Sequence, residues 1–355
     1  MTNDLSYDQR MQKICTSLGQ HGYDVTLIGR KLRQSKPVNF PHFKPYRLFC
    51  FFTKGPLFYA EYNARLFWKL LFSKQDIICS VDLDTLPACA LAAQMKKKKW
   101  TFDAHEYFVE VPEVVSRKWV KKIWGFIEKK WVPKAHARYT VGPELAQLLS
   151  KRLSCTFEVV RNMPYANNNT NPSQAQQPYF ILYQGALNPA RGIEAMIDAM
   201  EWIPELEFHI VGKGPLENDL KKRVAEKKLQ NKVRFLGFME PQTLAQYTQK
   251  AFLGLNVSEP IGLSYYYSLN NKFFDYIQAG IPSLINAFPE YINLNNQYQV
   301  GELCESNPMD LAKKANELIK NPERYTFLKN QCLEAAKTLH WKTEQPKLRS
   351  IYESL

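Results

Sequence analysis

Residues 271–282, NKFFDYIQAGIP, set a cation and a carboxylate three residues apart at the start of a helical pattern. Phe273, Tyr276, Ile277 and Gly280 share one helical face, and Lys272 and Asp275 lie together on its flank. The pattern stops at Ala279-Gly280 before a Pro-led apolar run, which predicts a helix leading into a strand. A helix amino end offers free N–H groups and a positive dipole, which suits a phosphate. Lys272 would add a full positive charge there, and Asp275 an acceptor for sugar hydroxyls. The pattern points to a nucleotide-sugar site.

Three earlier segments have the same character. GALNPARGIEAMIDAM (185–200) puts Gly185 after a predicted strand and Arg191-Gly192 at a helix start, where a guanidinium can meet diphosphate oxygens. HIVGKGP (209–215) ends a strand in a turn at Gly212 and Gly214, and SEPIGLS (258–264) sets Glu259 near Gly262. Each alone has an ordinary explanation: a solvated Arg, a structural glycine turn, a loop carboxylate. Their succession on the strand ends of one sheet is what points to a ligand.

The elements that would position these residues alternate in type. Strands are predicted at 179–185, 207–212, 233–238 and 251–257, with helices at 191–203, 216–228, 242–250 and from Lys272. This βα alternation predicts an α/β fold with a parallel sheet. The first half reads likewise: a helix over 8–20, then strands at 23–29, 76–81, 99–104 and 137–141. A doubly wound domain opens on a buried strand that delivers its first loop to the ligand crevice, yet here residues 1–4 begin directly at the loop. The expectation is therefore that the first N-terminal strand is missing, through a shortened chain or a misassigned start. Between the halves, the uncharged YANNNTNPSQAQQP (165–178) reads as a linker. The predicted organisation is a domain over 1–166, a linker over 167–178, a second domain over 179–338 and a C-terminal helix over 339–355 that packs back on the first domain.

Composition narrows the partners. With 355 residues, 45% hydrophobic and 21 Phe, the chain has material for two cores. It contains no uncharged apolar run long enough to span a bilayer, and residues 1–20 do not resemble a secretory signal. Its seven scattered cysteines form no CxxC pair, which favours buried thiols in a reducing cytoplasm over metal ligands or disulfides. Residues 1–166 hold 27 Lys+Arg against 14 Asp+Glu, whereas residues 167–355 hold 20 of each. The whole excess of +13 lies in the first half and calls for an anionic partner.

Residues 179–290 resemble the nucleotide-binding domain of retaining GT-B glycosyltransferases, family 4-like (glycosyl transferases group 1), of bacterial type. GAL-x3-RG is similar to the first donor loop of that group, HIVGKGP to its second, and VRFLGFM to its base-binding strand. SEPIGLS followed by NKFFDYIQAGIP is similar to its carboxylate signature. In the first half, residues 3–30, DLDTLPA (82–88) and DAHEYFVEVPE (103–113) resemble its acceptor domain. The resemblance implies two Rossmann-like domains with an interdomain cleft. It also implies transfer of a sugar from a nucleotide diphosphate-sugar to a hydroxyl acceptor, with retention and with neither metal nor cofactor. Arg191 and Lys272 would hold the diphosphate and Asp275 the ribose. Glu259, Gly262 and Leu263 would face the donor sugar, with Gly185 and Gly212 in the donor loops. Glu259 and His105 are the catalytic candidates, and Asp8, Arg10 and Glu106 the acceptor-side ones. For Asp4, Asp8 and Arg10, capping and surface salt bridges weigh equally, and Asp82 and Asp84 are expected to organise a loop and cap a helix over 86–95.

This chain departs from the family pattern in three places. Fifteen residues separate Glu259 from Asp275, more than the family usually has, and SYYYSLNN (264–271) reads as the inserted stretch. The second carboxylate is Asp, and Ala186 stands where many members carry Arg. The acceptor expected is a saccharide, lipid-linked or belonging to a surface polysaccharide. Competing readings are a nucleotide-sugar epimerase of the same architecture and a noncatalytic sugar- or membrane-binding scaffold. No Gly-x-Gly-x-x-Gly turn supports an oxidoreductase, and the basic residues form no nucleic-acid motif.

One segment stands apart. In SRKWVKKIWGFIEKKWV (116–132) the apolar residues Trp119, Val120, Ile123, Trp124, Phe126, Ile127 and Trp131 cover about 160° of a helical wheel, with lysines around them. This is either a core-packing helix with a solvated basic face or an interfacial helix on an anionic membrane. MKKKKW (95–100) and the aromatic run PLFYAEYNARLFWKLLF (56–72) favour the second, with the protein peripheral at the inner face.

Overall fold

A computed structural model describes residues 1–6, 8–166 and 179–355; the expected linker, 167–178, lies outside the described residues. The chain forms two compact units, one of Met1–Asn162 with Glu344–Leu355, the other of Met163–Thr343.

The second unit is built on six parallel strands: β7 (Phe180–Gln184), β8 (Glu207–Val211), β9 (Val233–Gly237), β10 (Leu253–Asn256), β11 (Ser283–Asn286) and β12 (Gly301–Cys304). Their spatial order is β9-β8-β7-β10-β11-β12. The chain winds outward from β7 to β9, then returns to the other side at β10, so the direction of winding reverses between β7 and β10. In such a sheet, ligands bind at the carboxyl ends of the strands flanking this switch point. Every residue of β7 is buried, as a central strand covered on both faces requires. Ile181 and Tyr183 join Met196, Phe208, Leu255 and Leu311 on one face, while Phe180 and Leu182 join Tyr276 and Ile281 on the other.

Tyr276 locks the switch point. Its hydroxyl donates to the Leu182 carbonyl at 2.8 Å, on β7, and lies 3.4 Å from the Leu255 carbonyl on β10. Gly254 makes room for it: a Cβ there would lie 2.4 Å from the Tyr276 ring.

The first unit is also α/β with parallel pairing. β1 (Thr26–Arg30) pairs with β2 (Lys44–Leu48), and β3 (Ile77–Val81), β4 (Lys99–Ala104), β5 (Ala137–Thr140) and β6 (Glu158–Val159) form a second sheet in that order. The backbone of Met1–Asn3 runs beside β1: the Met1 ammonium donates to Ile28 O and Arg30 N–H to Asn3 O. The returning C-terminal segment sets the Tyr352 hydroxyl 3.3 Å from that of Tyr139.

Some elements differ from expectation. The helix expected over 191–203 is α-helical only at Ile193–Ala199 and tightens to a 3-10 turn at Met200–Trp202, two residues before Pro204. β2 has Pro45 within it, which suits a sheet edge but hides the strand from a propensity reading. The stretch 264–271 begins inside a helical turn, Leu263–Tyr266. The helix expected over 86–95 starts earlier, at Asp82 and ends at Lys96, with Asp82 and Asp84 inside its first turn rather than capping it. Thr85 closes that end instead, its hydroxyl donating to Val81 O and accepting from Val81 N–H.

Candidate functional site

At the switch point, Tyr183, Gln184, Gly185, Ala186, Arg191, Asn270, Lys272 and Asp275 line a cavity of about 250 Å³. Lys272 stands in the first turn of the helix Asn271–Gln278, 9% exposed. Its Nζ lies 3.8 Å from the centroid of the Tyr183 ring and has no hydrogen-bond partner among the described residues. Burial, with Arg191 close by, holds its ammonium well below the ordinary lysine range. A buried cation facing an aromatic ring and a second cation is a site short of an anion.

The amino end of this helix is kept open. Asn270, at the cap position, makes no side-chain cap. It accepts from Arg191 Nη1 at 3.1 Å and donates to Asn256 Oδ1 at 3.4 Å. Arg191 is steadied further by Tyr265, whose ring centroid lies 4.5 Å from the guanidinium carbon. The short helical turn in the 264–271 region therefore holds Arg191. On the opposite flank of Lys272, Asp275 accepts from Gln184 Nε2 at 3.0 Å, and Gln184 Oε1 accepts from the Thr248 hydroxyl at 2.8 Å. Gln184, Asn270 and Tyr265 were not among the sequence-derived candidates. Gln184 had a signal, being the single polar residue at the end of an apolar strand.

Gly212 explains how the loops after β7 and β8 meet. Its φ is +143° and an added Cβ would lie 1.8 Å from Gly185 O, so only glycine allows this approach. Gly185 lines the cavity; Gly212 supports it from behind. Glu259, Gly262 and Leu263 sit on the loop after β10, off the cavity wall. That loop is tied to the Arg191 loop, since Glu259 N–H donates to Ala190 O at 2.9 Å.

In the first unit, the candidates gather at the end of β4. Asp103, fully buried, accepts from Arg10 Nη2 at 2.7 Å and Nε at 3.2 Å, and Arg10 Nη1 donates to Val160 O at 2.8 Å. All three guanidinium nitrogens of Arg10 are thus engaged within the unit. Asp8 caps the helix Gln9–Gln20 by accepting from Met11 N–H at 2.9 Å. Asp4 accepts from Arg47 and from the Ser35 hydroxyl. Glu106 is exposed. His105 lies between two carboxylates: Nε2 is 3.0 Å from Asp103 Oδ2 and Nδ1 is 3.7 Å from Asp82 Oδ2, while its N–H donates to Asp82 Oδ1 at 2.8 Å.

Burial disfavours a charged His105, but Asp103 and Asp82 outweigh it and push the imidazole up to about 9. Burial drives Asp82 the other way for a carboxyl, up to about 8, with His105 pulling it back. The pair therefore titrates as one unit. A histidine whose folded pKa is raised contributes stability fully below its unfolded value, near 6.5, and loses it as pH rises through about 9. The stability difference between wild type and His105→Gln is expected to shrink steadily across that window. Chemical denaturation at a series of pH values measures it; a difference independent of pH would contradict the arrangement.

Among the described residues, no group of three His, Cys, Asp or Glu side chains is placed to hold a metal ion, and no helix is long and apolar enough to cross a membrane. All seven cysteines are unpaired, and five of them are buried.

Comparison with known proteins bears on the fold. Residues 167–337 match the family described as glycosyl transferases group 1. No curated protein matches the chain. Among solved structures, sucrose-phosphate synthase from Thermosynechococcus elongatus is 18% identical, with 97% of this chain and 92% of that one covered and a TM-score of 0.77. Anabaena HepE, solved with UDP and glucose, is 14% identical, with 100% and 98% covered and a TM-score of 0.78. WaaG, a glycosyltransferase involved in lipopolysaccharide biosynthesis, is 12% identical, with 98% and 96% covered and a TM-score of 0.67. The fold is that of GT-B glycosyltransferases, with two Rossmann-like domains. The match to glycosyl transferases group 1 falls within its second unit.

Proposed function

We propose that this protein transfers a sugar from a nucleotide diphosphate-sugar to a hydroxyl of a saccharide acceptor, lipid-linked or belonging to a surface polysaccharide. Transfer proceeds with retention and without a metal. The observation that carries the reading is the buried Lys272 ammonium, without a hydrogen-bond partner among the described residues, at the amino end of a helix and within one cavity with Arg191. Departure of a nucleoside diphosphate develops negative charge, and preorganised cations with a helix dipole stabilise it. Lys272 and Arg191 take the diphosphate, Asp275 the ribose hydroxyls, and the Glu259–Leu263 loop the donor sugar. His105 is the acceptor-side candidate in the first unit. The UDP and glucose in the HepE structure, and the lipopolysaccharide role of WaaG, support this assignment of donor and acceptor class. Unpaired, mostly buried cysteines fit a reducing compartment, so the reaction is assigned to the cytoplasm.

The test is a panel of nucleotide-sugars and saccharide acceptors with product detection by mass spectrometry. The expected result is one donor that yields a glycosylated acceptor together with nucleoside diphosphate, undiminished by chelator. Conversion of the donor sugar without acceptor product would instead establish an epimerase. Nucleotide binding with no turnover of any donor would establish a noncatalytic scaffold.

A further inference from the structure

We propose that three adjacent helices of the first unit form a docking face for an anionic lipid surface. The helix Lys118–Trp131 buries only Trp124 and Glu128. Trp124 packs edge-on against Tyr59 and Phe108, and Glu128 pairs with Arg152 at 3.0 Å. The remaining rings point away from the core: Trp119 is 77% exposed and Phe126 63%, with Ile123 exposed between them. Their spacing of four and three residues makes one stripe on the helix. Lys122 Nζ lies 5.5 Å from the Trp119 ring centroid and Lys130 Nζ 5.6 Å from that of Phe126, so basic groups flank the stripe.

The neighbouring helices extend it. The helix Asp82–Lys96 packs against both Lys118–Trp131 and Gly55–Phe72 and presents Met95 to solvent. On Gly55–Phe72, Trp68 stacks on Phe72, which is 81% exposed. Water-exposed rings gathered on adjacent helices mark an interaction surface.

Charge selects the occupant. The first half of the chain carries the entire excess of 13 positive charges, with lysines at 96–99, 118, 121, 122, 129 and 130 on or beside these helices. A second copy of the chain would bring like charge to like charge. Exposed Trp and Phe ringed by Lys match the boundary of a bilayer rich in anionic headgroups, where rings enter the interface and ammonium groups meet phosphates. This inference does not depend on the transferase reading.

Sedimentation of the full chain with lipid vesicles tests it, using phosphatidylcholine alone and phosphatidylcholine mixed with phosphatidylglycerol. Binding to the mixed vesicles is expected to exceed binding to neutral ones by on the order of tenfold and to weaken with added salt. Trp119→Ser with Phe126→Ser, and separately Lys122→Glu with Lys130→Glu, should each lower it by a similar factor. These side chains face solvent, so circular dichroism and nucleoside diphosphate binding should stay at wild-type values. Equal binding to both vesicle types, or no loss in either variant, would overturn the proposal. So would a wild-type dimer, with no vesicle binding, that the Trp119→Ser, Phe126→Ser variant dissociates.

Discussion

Replacing Lys272 with Met is expected to lower sugar transfer by on the order of a hundredfold or more while leaving the unliganded protein at least as stable as wild type. The two halves of this expectation have one cause. Without a ligand, the Lys272 ammonium is buried with no hydrogen-bond partner among the described residues and with Arg191 nearby, so its charge is a burden on the fold. On the proposed function, a bound diphosphate would neutralise the same charge at short range, and the interaction would strengthen as the leaving group gains charge. Met keeps an unbranched apolar stem of nearly the same length beside the Tyr183 ring while removing the charge. The sign of the pH dependence follows. A lysine whose folded pKa is depressed destabilises the native state fully below that pKa, and the penalty fades as pH rises towards the unfolded value. The unliganded Met variant should therefore exceed wild type most below the folded Lys272 pKa, with the gap closing as pH rises towards the ordinary lysine range. Thermal melts with and without nucleoside diphosphate, beside kcat/KM for the donor identified by the panel, separate the effects. A variant that melts much lower than wild type without ligand and keeps its transfer rate would contradict the assignment.

The second large effect concerns stability. Asp103→Ala is expected to cost about 3–5 kcal/mol, because it leaves the Arg10 guanidinium buried without its carboxylate. Arg10 is 3% exposed and Asp103 fully enclosed, so solvent cannot take over. Removing the pair together, as Arg10→Met with Asp103→Leu, should cost much less than Asp103→Ala alone, since no buried charge is then stranded. The ionic pair earns its place through position: Asp103 also accepts from His105 at 3.0 Å, so it orients the imidazole as well as neutralising Arg10. In Asp103→Ala the His105 pKa should fall from about 9, readable by NMR titration of the ring protons. Denaturant unfolding measures the stability change. A loss below about 1 kcal/mol would mean the pair behaves like an exposed one.

Much of the lining of the switch-point cavity was legible as linear pattern. Gly185 and Arg191 come from one segment and Lys272 and Asp275 from another, and each segment joins a strand end to a helix start, where local rules apply. The strands at 99–104, 179–185 and 207–212 were visible for the same reason: continuous apolar runs bounded by turns. β2 was not, because its Pro45 and charged neighbours lack strand propensity and only pairing with β1 makes the segment extended. Gln184 and Asn270 were not singled out because their importance lies in what they hold, Asp275 and Arg191, each far away in sequence.

The basic helix shows the boundary most clearly. Periodicity identified Lys118–Trp131 as amphipathic, but a wheel cannot tell which part of an apolar arc meets a core. The structure turns Trp124 inward against Tyr59 and Phe108 and leaves Trp119, Ile123 and Phe126 in solvent. The sequence alone determined the parallel α/β alternation, the helix that opens at Asn271-Lys272 and the uneven charge, all properties of local order and composition. Tertiary structure alone decided that Lys272 Nζ has no hydrogen-bond partner among the described residues, that Arg10 pairs with Asp103, and that rings face outward. Those are relations between segments distant along the chain, set by which surfaces packing consumes and which it leaves over.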